Sequence, residues 1–121
     1  MIANSNEYYT LVSDSVSSLC ENSGRVQQSG DPVLPYLYFK ELGQVTTIQD
    51  LEGNECEVLY SIEIQVFTNG TGALNKNTKI MKLADDCIIG LGFERIFGPQ
   101  PFEQDDGIIQ SICRYSKHIE S

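Results

Sequence analysis

Hydrophobic and polar residues alternate most regularly between Val58 and Val66. Apolar side chains occupy every second position of this segment, and Ser61, Glu63 and Gln65 lie between them. Strict alternation predicts a strand with one buried face and one at least partly polar face, and it favours an antiparallel sheet. The predicted buried positions are Val58, Tyr60, Ile62, Ile64 and Val66.

Two other segments have the three-to-four-residue spacing of amphipathic helices. The first runs from Asn6 to about Cys20 and has a serine-rich polar side. The second runs from about Leu74 to Ile89, and a left-handed glycine at Gly90 or Gly92 should end it. The predicted buried stripes are Tyr8, Leu11, Val12, Val16 and Leu19 in the first helix, and Ile80, Ala84, Cys87, Ile88 and Leu91 in the second.

The segment between the first helix and the regular strand has two parts. Residues 21–31 are polar and rich in turn-forming types, which predicts a loop. From Val33 to Ile48 aromatic and β-branched residues predict strand structure, either as two short strands or as one strand bulged at Gly43. Asp50–Glu55 supplies turn residues that should close a hairpin.

Two further strands are predicted after the second helix, at Phe93–Phe97 and at residues 108–117. Gly98–Pro101 should form a stiff loop between them, and Asp105–Gly107 a turn. The predicted order is α, two or three β, α, β, β. This order defines one α+β domain over residues 1–121, with two helices packed on a mainly antiparallel sheet.

Composition narrows the classes of function. The formal net charge is −9 and the pI is near 4.4. This composition argues against a nucleic-acid-binding protein, which needs clustered basic side chains to contact phosphate groups. No apolar run approaches the ~20 residues that cross a bilayer, and the first residues lack the pattern of a secretory signal. The four cysteines form no C-x-x-C pair, so we expect no zinc site and reduced thiols.

Candidate chemistry is sparse. Gly70-Thr71-Gly72 lies between a strand and a helix, where phosphate-binding loops occur, but Asn75 stands at the third glycine position of that motif. A flexible connection is therefore the favoured interpretation. No nucleophile motif accompanies the single histidine, His118. The residues alone predict no enzyme activity, no metal site and no cofactor.

Several blocks occur in an order that resembles a known family. They are Ser61–Phe67, Lys79–Asp86 within the second helix, Leu91–Arg95 and Phe97–Pro101. The sequence resembles the tail-terminator proteins (also called tail-completion or minor capsid proteins) of long-tailed bacteriophages and prophages. Tyr36–Glu41 fits the first strand of that family, and the resemblance covers about residues 33–117.

The resemblance implies a structural assembly protein. Members of the family are small α+β domains that form a hexameric ring, which caps the tail tube, ends its polymerisation and offers a surface to the head connector. The implied partners are further copies of the chain, the tail-tube protein and a head-completion protein, with DNA only as passing cargo and no membrane. The implied locations are the host cytoplasm during assembly and the head–tail junction of the virion.

Two alternatives stay open. One is another head–tail connector component, such as a stopper or adaptor ring. The other is a small-molecule or phosphate-binding domain that uses Gly70–Lys82.

Loops and exposed faces are the expected interface, because loops on a rigid scaffold usually carry binding. The lysines at the start of the second helix lie where the macrodipole disfavours positive charge, so they form either a partner site or a solvated face. Acidic and basic patches on one subunit could meet head to tail in a ring. The candidates are Glu52 and Glu55 in the turn, Lys76, Lys79 and Lys82 on the helix, and Pro99, Pro101 and Phe102.

Overall fold

Two helices and five strands make up the fold in the computed structural model, which describes residues 5–25, 33–49, 55–104 and 107–120. The strands form one sheet in the order β1-β2-β3-β5-β4, and all its pairs are antiparallel except β1–β2. The predicted α+β class and element order are confirmed, with β1 as an addition. The elements are α1 (Ser5–Val16), β1 (Asn22–Gly24), β2 (Tyr36–Gln49), β3 (Glu55–Thr68), α2 (Ala73–Gly90), β4 (Glu94–Glu103) and β5 (Ile109–Glu120).

The loop predicted over residues 21–31 is wrong at Asn22–Gly24, and residues 26–31 lie outside the described residues. Asn22–Gly24 forms a short strand that pairs in parallel with the start of β2. Asn22 Nδ2 donates to the Pro35 carbonyl at 3.4 Å, and the Ser23 hydroxyl lies 3.1 Å from that of Tyr9. Because backbone and hydroxyl groups hold this strand, it has no hydrophobic periodicity to reveal it.

The hairpin of β2 and β3 forms the middle of the sheet. β2 is one long strand with a register shift between Glu41 and Gly43, which decides between the two alternatives left open at Gly43. The antiparallel pairing confirms the predicted hairpin. Residues 50–54 of its turn lie outside the described residues.

The predicted loop at Gly98–Pro101 is wrong, because β4 continues through it to Glu103. Phe97 pairs with Arg114 and Gln100 with Ile112, so two residues of β4 face one residue of β5 in a bulge. Gly98 has φ +84°, and a Cβ atom there would overlap the Ile112 carbonyl oxygen. The glycine thus allows a strand to pass through a segment whose prolines suggested a loop.

The hydrophobic core lies between the sheet and the two helices, which pack on the same face. All five alternating apolar residues of β3 are buried there, as predicted. In α2, Ile80, Ala84 and Ile88 are buried, while Cys87 and Leu91 are partly buried against them. Met81 and Asn77 are also buried, although the predicted stripe omits them.

The predicted stripe of α1 is wrong at two positions. Val12 and Val16 are buried, but Leu11 is 40% exposed and Leu19 is 46% exposed. Leu11 lies about 100° around the helix from Val12, which turns it away from the sheet. Leu19 falls beyond the end of the helix at Val16.

Candidate protein-interaction site

A groove of about 250 Å³ lies between α2 and β4. α2 contributes one side of it, the edge strand β4 contributes the other, and β5 contributes part of the floor. Pro99, Pro101 and Met81 make part of its wall apolar. The lining residues are Asn77, Thr78, Met81, Lys82, Asp85, Arg95, Pro99, Pro101 and Ser111.

Hydrogen bonds fix the floor of the groove. Asn77 Nδ2 donates to the carbonyls of Val66 at 2.8 Å and Ile109 at 3.0 Å, and Asn77 Oδ1 accepts from the Ser111 hydroxyl. Asn77 and Ser111 are both buried, so these bonds satisfy polar groups that have little access to water. The floor is a rigid support rather than a reactive centre.

One wall carries an acidic side chain held from two sides. Asp85 Oδ1 accepts from Arg95 Nη1 at 3.1 Å and from the buried Tyr115 hydroxyl at 2.7 Å. Burial raises the pKa of Tyr115, and its hydrogen bonds with Cys113 and Asp85 raise it further, so the hydroxyl stays a donor. The charge of Asp85 raises the pKa of the Arg95 guanidinium. Asp85 thus links α2 to β4 and β5.

The structure brings together three of the predicted interface residues. Lys82, Pro99 and Pro101 line the groove, although at least 17 residues separate the lysine from the prolines in sequence. These residues are close in space because β4 lies beside α2. Lys82 Nζ also lies 3.2 Å from Asp86 Oδ2, in an exposed ion pair on the same helix.

The other predicted residues lie apart from the groove. Lys76 and Lys79 are exposed on α2 and form no ion pair with any described residue. Phe102 is exposed and pairs with Gln110 on the sheet face opposite the helices. Glu52 lies outside the described residues, and Glu55 begins β3 with its side chain outside them.

Sequence reasoning missed the residues that shape the groove, namely Asn77, Arg95 and Ser111. A polar residue at the fourth position before Met81, on the apolar side of α2, is a signal that could have revealed Asn77. Nothing local distinguishes Arg95 or Ser111, because both acquire their roles from strand pairing.

The open face of the sheet carries a chain of hydrogen bonds that joins side chains of β3 and β5. Gln110 Nε2 donates to Gln65 Oε1 at 2.8 Å, Gln65 Nε2 to Glu63 Oε2 at 2.7 Å, and Arg114 Nε to Glu63 Oε1 at 2.7 Å. The Arg114 guanidinium also lies 5.3 Å from the centre of the Phe97 ring. Burial alone would raise the pKa of Glu63, but the bonds from Arg114 and Gln65 hold it below its ordinary value. Glu63 is therefore buried on the face predicted to be polar, with its charge compensated.

Titratable groups outside the groove do not converge. Within the described residues no three His, Cys, Asp or Glu side chains group as metal ligands. Cys20, Cys87 and Cys113 are free, and burial raises the pKa of the Cys20 and Cys113 thiols, which lowers their reactivity. His118 contacts Glu57 near the end of β5.

The phosphate-loop candidate is likewise open to solvent. Gly70, Thr71 and Gly72 are all exposed, and no side chain caps the first turn of α2. The described part of the chain contains no helix long and apolar enough to cross a membrane.

No protein-family model matches the chain, and no curated protein is significantly similar to it.

Proposed function

We propose that this chain is a structural assembly protein of a bacteriophage tail. Six copies form a ring that caps the tail tube, ends its polymerisation and joins it to the head connector. Its partners are further copies, the tail-tube protein and a head-completion protein, and DNA only passes through the ring. The ring assembles in the bacterial cytoplasm and stays at the head–tail junction of the virion. Its work is protein contact rather than catalysis.

The observation that carries the proposal is the separation of two oppositely charged patches. The acidic turn with Glu52 and Glu55 joins β2 to β3, whereas Lys76 and Lys79 follow the other end of β3. β3 has 14 residues, so its ends lie about 43 Å apart at ~3.3 Å per residue. The patches of one copy therefore cannot meet each other, but those of two copies can.

A contact between unlike patches is heterologous, and such contacts close into rings when the rotation permits. The two patches carry opposite charges, glutamates in one and lysines in the other. Lys76 and Lys79 form no ion pair with any residue in the described ranges, although the chain has 17 acidic residues, so they can pair with carboxylates of another copy. Complementary charges of this kind chiefly accelerate and orient association. The α+β class supports the same proposal, because it is the class that the resemblance implies.

A stopper or adaptor ring is an alternative within the same class of function. It would use similar contacts between copies but would not control the length of the tube. Mixing the chain with purified tail-tube protein separates the two functions, since a terminator shortens and equalises the tubes. The phosphate-binding alternative has less support, because Gly70, Thr71 and Gly72 are exposed and do not line the groove that Lys82 lines.

A charge-swap experiment tests the proposal. The variant Lys76→Glu/Lys79→Glu should lose ring formation, measured as solution mass, and should lose capping of tail tubes. Adding Glu52→Lys and Glu55→Lys should restore both, and this fourfold variant has the net charge of the parent. Circular dichroism checks that each variant is folded. A parent that neither forms a ring nor limits tube length would contradict the proposed function, whereas failure of the swap alone would contradict only the paired patches.

A further inference from the structure

We propose that Asn69 is a site of spontaneous chemical modification, at which the side-chain amide is replaced by a carboxylate through a cyclic imide formed with the backbone of Gly70. The two residues follow the end of β3 at Thr68 and precede the start of α2 at Ala73. They belong to a segment that the proposed ring contact does not use, so the modification does not depend on the proposed function.

The reaction uses only these two residues and water. The Gly70 nitrogen loses its proton to solvent and attacks Asn69 Cγ, so a bond forms between the nitrogen and Cγ. The bond between Cγ and Nδ2 breaks, and Nδ2 takes up a proton and leaves as ammonia. Water then adds to one of the two imide carbonyls and breaks its bond to the nitrogen, which regains a proton. Opening at Cγ gives aspartate and opening at the backbone carbonyl gives isoaspartate, and no group is oxidised or reduced.

The residue after the asparagine decides how readily the imide forms. A side chain there crowds the nitrogen as it approaches Cγ, whereas glycine has no side chain and adopts backbone angles that other residues disfavour. Asn69 is the only asparagine in the sequence that precedes a glycine, since the others precede serine, glutamate, lysine or threonine. The sequence therefore singles out this one position.

The turn leaves both reacting groups open to water. Residues 69–72 are all exposed, and Gly70 has φ +81°, in the left-handed region that favours glycine. Beyond its chain neighbours, a Cβ atom added to Gly70 would meet no atom of the described residues within 4 Å. The backbone bonds that order the turn run from Ala73 N to the Gly70 carbonyl and from Lys76 N to the Gly72 carbonyl. Neither bond holds the attacking nitrogen of Gly70.

Asn75 gives the contrast within the same chain. Its side chain is also exposed, but it lies inside α2. The nitrogen that would attack it belongs to Lys76 and already donates to the Gly72 carbonyl at 3.0 Å, and helical geometry fixes the backbone on both sides of it. Exposure is therefore common to the two asparagines, and the freedom of the following nitrogen distinguishes them.

The modification changes the charge at the start of α2. No side chain caps this helix, and its first turn contains no acidic residue. A carboxylate at position 69 adds a negative charge three residues before the N-cap Gly72, at the end of the helix where the macrodipole favours negative charge. Modified copies should therefore be retained longer than unmodified copies on anion exchange.

Incubation of the folded protein at mildly alkaline pH, followed by fragmentation mass spectrometry at successive times, tests the proposal. Residue 69 should acquire the mass of an exchange of NH₂ for OH and should yield both aspartate and isoaspartate, whereas Asn75 should stay unchanged. Gly70→Ala should slow the conversion to the rate at Asn75. Asn69→Gln keeps the glycine of the turn and should abolish the conversion. Thr71→Ala is the matched control and should be modified like the parent.

Circular dichroism before and after incubation checks that the conversion occurs in the folded chain. Conversion at Asn69 no faster than at Asn75 would overturn the proposal, as would aspartate without isoaspartate, which indicates direct hydrolysis of the side chain. A folded Gly70→Ala variant that converts as fast as the parent would also overturn it. If that variant does not fold, the comparison of Asn69 with Asn75 in the parent, and the loss of isoaspartate in Asn69→Gln, decide the question.

Discussion

The two helices cover the same face of the sheet, yet different interactions hold them there. α2 buries three large apolar side chains, Ile80, Met81 and Ile88, together with Asn77, which bonds to the backbone carbonyls of Val66 and Ile109. α1 buries only Val12 and Val16 completely. Its other contacts include the partly buried rings of Tyr8 and Tyr9 and a contact between the Ser13 and Ser23 hydroxyls at 2.8 Å.

Local backbone hydrogen bonds also favour α2 over α1. α2 closes with Gly92 at φ +95°, where Gly92 N donates to the Ile89 carbonyl and Phe93 N to the Ile88 carbonyl. This is a Schellman cap, and it confirms the predicted left-handed glycine. In α1, by contrast, the Ser15 hydroxyl donates to the Val12 carbonyl at 2.7 Å, a bond that competes with helical geometry.

This difference indicates which parts of the molecule should resist local unfolding. α2 carries the groove and is fixed by hydrogen bonds in the interior, whereas α1 has two fully buried valines, two partly buried tyrosine rings and hydroxyl contacts nearer the surface. The following predictions test that distinction, and all of them are measured as free energies of unfolding in denaturant.

The largest effect is expected from a core residue of α2. Ile80→Ala should destabilise the protein by about 2–5 kcal/mol, because it leaves a cavity in a fully buried site. Leu11→Ala in α1 is the paired variant, and it should cost much less, about 0.5–1 kcal/mol, since Leu11 is 40% exposed and leaves no enclosed cavity. Equal losses in the two variants would contradict the assigned helix faces.

The next effect should come from the polar anchor of α2. Asn77→Ala should cost about 2–3 kcal/mol, because the carbonyls of Val66 and Ile109 and the Ser111 hydroxyl lose their partner in the interior. Asn75→Ala is the matched control, since Asn75 is exposed on the same helix. A variant at position 77 as stable as the control would show that the anchor contributes nothing.

A smaller effect is expected at the C-terminal end of α2. Lys117 Nζ donates to the Leu91 carbonyl at 2.6 Å and lies 5.6 Å from the centre of the Phe93 ring. Lys117→Met should therefore cost about 1 kcal/mol through loss of a charged group near the helix end and above an aromatic ring. Lys79→Met, at an exposed position, should be nearly neutral, and a loss of the same size there would argue for a general charge effect.

The smallest effect should be a gain in stability. Ser15→Ala should stabilise the protein by about 0.5 kcal/mol, because alanine has the higher helix propensity and cannot bond back to the Val12 carbonyl. Destabilisation by a similar amount would mean that the serine bond supports α1 rather than competing with it.

The sequence predicted those features of the fold that depend on local patterns. The alternation in β3, the stripe around Ile80 and Ile88, and the glycine after α2 all follow from the spacing of residue types along the chain. β1 and the passage of β4 through Gly98 could not be predicted, because pairing with distant strands creates both. Prolines within a strand normally indicate an interruption, and the bulge opposite Cys113 is what accommodates them here.

The candidate site was less predictable than the fold. Lys82, Pro99 and Pro101 were chosen as separate surface features, and only the packing of β4 beside α2 joins them. Arg95 and Asp85 form their ion pair across the same boundary. Helix and strand periodicity identifies which side of an element is buried, but it contains no information about which two elements become neighbours.

The prolines at the edge of the sheet have a consequence for how copies can associate. Because Pro99 and Pro101 cannot donate backbone hydrogen bonds, this part of β4 cannot pair along its free side with a strand from another chain. Subunits that meet here must therefore contact through side chains and not through a shared sheet. The N–H of Glu103 points to the free side, because Gln104 N bonds toward β5 to the Ile108 carbonyl and neighbouring residues alternate. Amide hydrogen exchange at Glu103 should then slow only modestly on assembly, without the strong protection that a new intermolecular ladder would give.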